Sequence, residues 1–125
     1  MDRLGEWYEK SGLRRPARPG YCIDAKDPLG RRVRCTGKRW DDHILLKYEM
    51  AGAEAEVGDT ITAPFQITSD AHKPRHLCYY GLASDPQEEY KIKVSVKIEG
   101  NIGWIVTAYR VSEVPPNEPV FWEPS

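Results

Sequence analysis

The sequence predicts an α+β domain, with an N-terminal hairpin and two short helices followed by an antiparallel β-sheet. Three observations carry this. Tyr90–Ile98 alternates strictly between apolar and polar residues, the period of a strand with one buried face. Trp104–Val111 is a second β-branched and aromatic run, and Gly100 and Asn101 between the two mark the turn of a hairpin. Trp40, His43, Ile44 and Tyr48 fall instead at spacings of three and four, the period of a helix.

Taken in order, Met1–Lys10 places Leu4, Trp7 and Tyr8 at helical spacing, and Ser11–Gly20 is a connector rich in Pro, Gly and Arg. Residues 1–20 are thus read as a short helix with a basic connector, and 21–125 as one domain. Tyr21–Thr36 reads as a hairpin around Asp27-Pro28-Leu29-Gly30, pairing Ile23 with Cys35 and Ala25 with Val33. Cys22 then falls on the face opposite Cys35, which argues against a disulfide between them. Arg39–Met50 predicts a helix with acidic residues in its first turn, and Ala53–Thr62 a second one stopped by Pro64. Phe65–Thr68 and Leu77–Tyr80 are short strand candidates around the loop Ser69–Pro74. The tail from Pro115 is rich in Pro and Glu, yet Val120-Phe121-Trp122 is apolar enough to fold back onto the body.

The register of the Tyr90–Val111 hairpin follows from its partners, because a slip of one residue exchanges the two faces. Pairing Ile98 with Trp104, Val96 with Val106 and Val94 with Ala108 sets apolar against apolar. It leaves Lys93, Ser95, Lys97, Thr107 and Tyr109 together on the other face. The neighbouring register, with Lys97 against Trp104, mixes the faces. The first is the expectation.

A chain of 125 residues, 40% apolar and 30% charged, suits one domain with its own core. No apolar run reaches the roughly 20 residues of a membrane-spanning helix, so no membrane is expected as a partner. The N-terminus has no apolar signal core, which predicts a cytoplasmic protein. The formal net charge of −1 conceals an asymmetry: residues 1–40 hold 11 Lys and Arg against 5 Asp and Glu, and the remainder 7 against 14. A basic first third can present an anion-binding surface or dock on the acidic part.

Candidate chemistry is sparse. His43 is the sharpest candidate for proton transfer, since histidine titrates near neutrality. Arg75, ahead of the aromatic strand, has the fork that grips a phosphate. His72, His76 and Asp70 have a metal-like look, but Pro74 breaks the helical face that this spacing would need. With no Gly-rich phosphate loop, nucleophile elbow or HExxH, neither metal nor cofactor is expected.

The runs GRRVRCTGKRWDDHI (Gly30–Ile44), KYEM (Lys47–Met50), RHLCYY (Arg75–Tyr80), YKIKVSV (Tyr90–Val96) and WIVTAYR (Trp104–Arg110), with Pro64 after a short helix, occur in a telling order. Together they resemble the phage-associated branch of the barnase–EndoU–colicin–RelE (BECR) nuclease superfamily, over about residues 21–111. The resemblance implies a RelE-like fold whose open sheet face holds the active site, and metal-independent endoribonuclease activity of toxin, effector or phage type. It implies RNA as substrate and a cognate antitoxin or immunity protein as a further partner.

Residue by residue, His43, Arg75, Lys93, Thr107 and Tyr109 match the branch's site positions and become the candidate catalytic set. Arg32, Arg34, Tyr79, Ser95 and Lys97 are the candidate substrate contacts. Where the branch usually reads His-Pro-Glu-Met, this chain has Tyr48-Glu49-Met50, with neither that histidine nor the proline. The alternative is therefore a catalytically silent module of the same fold that binds RNA or a protein partner.

Overall fold

The computed structural model describes residues 20–44, 50–82 and 91–125. The expected N-terminal helix, the basic connector, Tyr48 and Tyr90 lie outside them.

Strand β1 (Tyr21–Lys26) and strand β2 (Arg32–Thr36) form the expected hairpin, pairing Ile23 with Cys35 and Ala25 with Val33. Asp27 organises the turn: its Oδ1 accepts the amide N–H groups of Leu29 (3.0 Å) and Arg31 (2.7 Å). Gly30 completes it at φ 88°, a conformation that glycine adopts without penalty. Cys22 departs from the expectation. The register shifts between Tyr21 and Ile23, and Cys22 packs against the core with its Sγ 3.5 Å from the Cys35 carbonyl. None of the three cysteines, all among the described residues, forms a disulfide.

Helix α1 (Gly37–Asp42) starts earlier than the expected Arg39, because Thr36 Oγ1 accepts the Arg39 N–H at 3.0 Å and caps it. Asp41 and Asp42 therefore close the helix instead of occupying its first turn. Trp40, Ile44 and Met50 are the buried anchors of this region. Helix α2 (Glu54–Thr62) follows, with Glu54 and Glu56 at its N-terminus, where the helix dipole favours them. It buries Val57, Thr60 and Ile61.

Strands β3 (Gln66–Ser69), β4 (His76–Leu82), β5 (Lys91–Glu99), β6 (Ile102–Val111) and β7 (Val120–Trp122) complete a seven-stranded sheet, ordered β1-β2-β6-β5-β4-β3-β7. The fold is α+β as expected, but the first hairpin belongs to the sheet. Strand β2 runs parallel to β6, with Arg32 beside Ile102 and Arg34 beside Trp104, while every other neighbouring pair is antiparallel. The tail does fold back, by adding β7 to the edge strand β3.

The β5–β6 hairpin uses both registers. Lys93–Tyr109, Val94–Ala108 and Ser95–Thr107 pair as expected; beyond a bulge, Val96 meets Ile105, Lys97 meets Trp104 and Glu99 meets Ile102. The cause is the turn. Gly100 at φ 63° allows a tight link of Gly100 and Asn101 alone, which forces Glu99 opposite Ile102. One extra residue on β6, Val106, then restores the expected faces further along. Ile105 takes the core position opposite Val96 expected of Val106, and Gly103 the one opposite Ile98 expected of Trp104, whose ring sits 5.9 Å from that of Tyr21.

The sheet's apolar face (Ile23, Val33, Leu77, Tyr79, Ile92, Val94, Val96, Ile105) packs against Trp40, Val57 and Ile61 of the two helices. Helix α2 lies so close over β4 that a Cβ on Gly81 would overlap the Thr60 side chain. No helix among the described residues is long and apolar enough to cross a membrane.

Candidate functional site

The other face of the sheet carries the chemistry. Strand alternation lines up three rows across β4, β5 and β6: Tyr80–Lys93–Tyr109, Cys78–Ser95–Thr107 and His76–Lys97–Trp104. Lys93 stands in the first row, its Nζ 5.6 Å from the centre of the Tyr80 ring and 5.8 Å from that of Tyr109. Lys93, Ser95, Lys97, Thr107 and Tyr109 thus share one face.

A residue absent from the sequence-based set completes the cluster. After β6 the chain returns across this face, and Glu118 reaches down onto it. Glu118 accepts hydrogen bonds from Lys93 Nζ (2.9 Å), Thr68 Oγ1 (2.8 Å) and the Tyr80 hydroxyl. Thr68 and Tyr80 share Oε1, while the Cys78 thiol lies 4.0 Å from Oε2, the oxygen that Lys93 contacts. The pairing of β7 with β3 and the Ser69 N–H to Pro119 carbonyl bond (2.9 Å) hold this segment down. The Lys93 and Glu118 side chains are only 10% and 7% exposed.

The electrostatics follow from burial and pairing. Burial opposes charge on Glu118, yet the bonds from Tyr80, Lys93 and Thr68 outweigh it and hold the carboxyl below its ordinary range. Burial likewise works against charge on Lys93, and the contacts with Glu118 and Tyr80 overcome it, raising its pKa. Burial and the Glu118 carboxylate push the Tyr80 phenol up. Burial pushes the Cys78 thiol up to about 11, against the pull of Lys93. Cys78 is thus held as the neutral thiol, a poor nucleophile. The cluster offers an ionised carboxylate, an ammonium and two phenols, the parts of acid–base chemistry on an anionic substrate.

Arg32 and Arg34 lie on this face at its β2 side, sharing Asp24 at 3.3 and 3.4 Å, with Arg34 also stacked 4.8 Å over the Tyr21 ring. Tyr79 is a correction. It alternates onto the core face, is fully buried, and donates to Asp27 Oδ2 at 2.6 Å, so it cannot meet a substrate. Its neighbour Tyr80 takes the open face instead. His43 caps the C-terminus of α1, whose Trp40 and the adjoining Ile44 belong to the core on the apolar face of the sheet, the face opposite Lys93. The candidate set is therefore not one constellation.

Arg75 is exposed at the start of β4, in the left-handed region at φ 59°. It lines a cleft of about 460 Å³ at the end of the sheet, with Arg31, Asp70, Lys73, His76 and Phe121 among its walls. Asp70 Oδ1 there accepts the N–H groups of His72 (2.8 Å) and Lys73 (2.9 Å), and His76 Nδ1 lies 2.9 Å from the Pro74 carbonyl. No group of three or more metal-ligating side chains occurs among the described residues.

Glu118 was hidden in sequence because a Pro/Glu-rich tail reads as solvated. The signal that does point to it is the apolar Val120–Trp122 just after it, which must land somewhere and brings Glu118 along. No family model, curated protein or solved structure matches this chain.

Proposed function

We propose that the chain is a metal-independent endoribonuclease whose site is the open sheet face around Lys93. The observation that supports this reading most is the assembly of Glu118, Lys93 and Tyr80 in one hydrogen-bonded group, with Tyr109 and Thr107 beside it. In the reaction the RNA's own 2′-hydroxyl attacks the adjacent phosphorus and the bond to the 5′-oxygen breaks. Glu118 takes the 2′-hydroxyl proton. Lys93 offsets charge on the phosphorane, a role worth about 3 kcal/mol in a preorganised site. Tyr109 gives a proton to the leaving 5′-oxygen. The products are a 2′,3′-cyclic phosphate and a 5′-hydroxyl. The outer residues Arg34, Trp104 and Lys97 supply charge and a stacking ring for the flanking strand.

One observation favours a second reading. Lys93 and Glu118 neutralise each other and are nearly out of solvent, so a phosphodiester reaches them only if the segment before β7 lifts. If it stays down, the module binds RNA through its outer residues and does not cleave. Incubating the purified chain with total RNA in EDTA separates the two. Cyclic-phosphate ends that disappear with Glu118→Gln support the nuclease. Binding without cleavage supports the silent module, and neither binding nor cleavage removes both.

A further inference from the structure

The cleft at the end of the sheet lies outside the Lys93 cluster and asks for an anion. Three cationic side chains line it, Arg31, Lys73 and Arg75, against one carboxylate, Asp70. That carboxylate is committed to its own loop through the N–H groups of His72 and Lys73. None of the three cations forms an ion pair with another described residue. Arg31 is engaged in part, through an interaction with the Tyr79 hydroxyl, but its Nη1 is out of solvent with no hydrogen-bond partner among the described residues. A buried guanidinium donor left unmet is costly, and most such groups in folded proteins find an acceptor.

Arg75 adds an independent observation. It is the one described non-glycine residue with positive φ, at 59°. A long side chain tolerated in a conformation that favours glycine marks a position kept for something other than local stability. Its carbonyl is tied to the Ile98 N–H at 2.8 Å, which fixes the backbone from which the guanidinium projects.

The rest of the wall is mixed, with Pro74, Leu77, Ile98 and Phe121 beside the polar Ser69 and His76. Leu77, nearly buried, lines the cleft, and so does Phe121, with 48% of its surface exposed though it belongs to a strand of the sheet. A cation cluster beside an exposed ring fits a phosphate joined to a flat aromatic base. The volume, about 460 Å³, falls within the range of small-ligand sites.

We infer that this cleft binds a nucleoside monophosphate group, its phosphate on Arg31, Lys73 and Arg75 and its base against Phe121. The group is a free nucleotide or the phosphorylated end of an RNA strand. The inference does not depend on the cleavage reading, because a mononucleotide has no internal phosphodiester to cut.

Amide NMR titration of the intact chain with AMP, inorganic phosphate and adenosine, at constant ionic strength, tests it. AMP should give saturable shifts in the loop Asp70–His76 and at Phe121, bind roughly 10-fold tighter than phosphate, and leave adenosine without effect. Arg75→Ala and Lys73→Ala, both at exposed positions, should weaken AMP and phosphate alike by roughly 10-fold. Phe121→Ala should weaken AMP alone. A 5′-phosphorylated trinucleotide that binds more tightly than AMP assigns the site to an RNA end, and equal affinity assigns it to the free nucleotide. Absence of saturable shifts, or shifts untouched by Arg75→Ala, overturns the site. AMP no tighter than phosphate overturns the nucleotide assignment.

Discussion

Lys93 Nζ lies 2.9 Å from Glu118 Oε2, joining an inner strand of the sheet to the segment that crosses its face. The pair bridges β5 and the approach to β7, and Thr68 and Tyr80 extend it to β3 and β4. One carboxylate therefore touches three strands. Because both charges are nearly out of solvent, each depends on the other.

That dependence is measurable. Lys93→Met or Glu118→Gln alone should cost about 3–5 kcal/mol in urea unfolding, since each leaves a buried charge without its partner. The double variant should lose clearly less than the sum of the singles. Additive losses would show that the two residues are not coupled.

The same carboxylate sets an acid limit on stability. Its folded pKa lies below the ordinary glutamate value of 4.5. A depressed carboxylate stabilises the fold fully above its unfolded pKa and ceases to do so as pH falls through the folded one. Thermal melts should therefore drop as pH falls below the ordinary glutamate range. In Glu118→Gln the drop should be shallower; an unchanged slope would rule Glu118 out as its source.

Gly81 faces Thr60 across the helix–sheet contact, where a Cβ would come within 2.9 Å of the threonine Cβ and overlap its hydroxyl. Gly81→Ala should destabilise by about 1–3 kcal/mol. Adding Thr60→Ala should recover part of that loss. A neutral Gly81→Ala would mean that α2 sits further from β4.

Arg75 should show stability and binding pulling apart. Its left-handed backbone costs about 1 kcal/mol for a residue with a side chain. Arg75→Gly should raise the unfolding midpoint while weakening AMP binding. A variant that loses stability would show that the side chain is structural.

The thiols should divide by burial. Cys35 and Cys78 are buried, and Cys22 is partly exposed. Alkylation of native protein at mildly alkaline pH should label Cys22 first, and mass spectrometry after unfolding should count three free thiols. A mass lower by two hydrogens would reveal a disulfide instead.

What could be read from sequence was whatever alternation dictates. The first hairpin's pairs, the shared face of Lys93, Ser95, Thr107 and Tyr109, and the existence of α2 all follow from local periodicity. What escaped depends on distant partners. The bulge at Val106 reflects a compromise between the Gly100 turn and the far end of the ladder, which neither strand encodes alone. Tyr79 and Tyr80 are adjacent aromatics in a run buried on both faces, so only the position of Asp27 shows which one points inward. His43 caps a helix whose Trp40 packs on the apolar face of the sheet, opposite Lys93, and local periodicity does not say which face a helix covers. Glu118 needed the landing place of the tail.

The parallel pairing of β2 with β6 has a consequence for a chain emerging from a ribosome. The first hairpin leaves the tunnel early, but its neighbour in the sheet, Ile102–Trp104, is among the later segments to appear. Until then Val33 has no strand beside it on that edge, and the helices have only part of a surface to cover. Closing so long a loop adds little to the equilibrium cost, but it delays assembly. Folding is thus largely completed after synthesis has passed β6, and a nascent chain stalled before that point exposes both its first hairpin and its apolar helix faces.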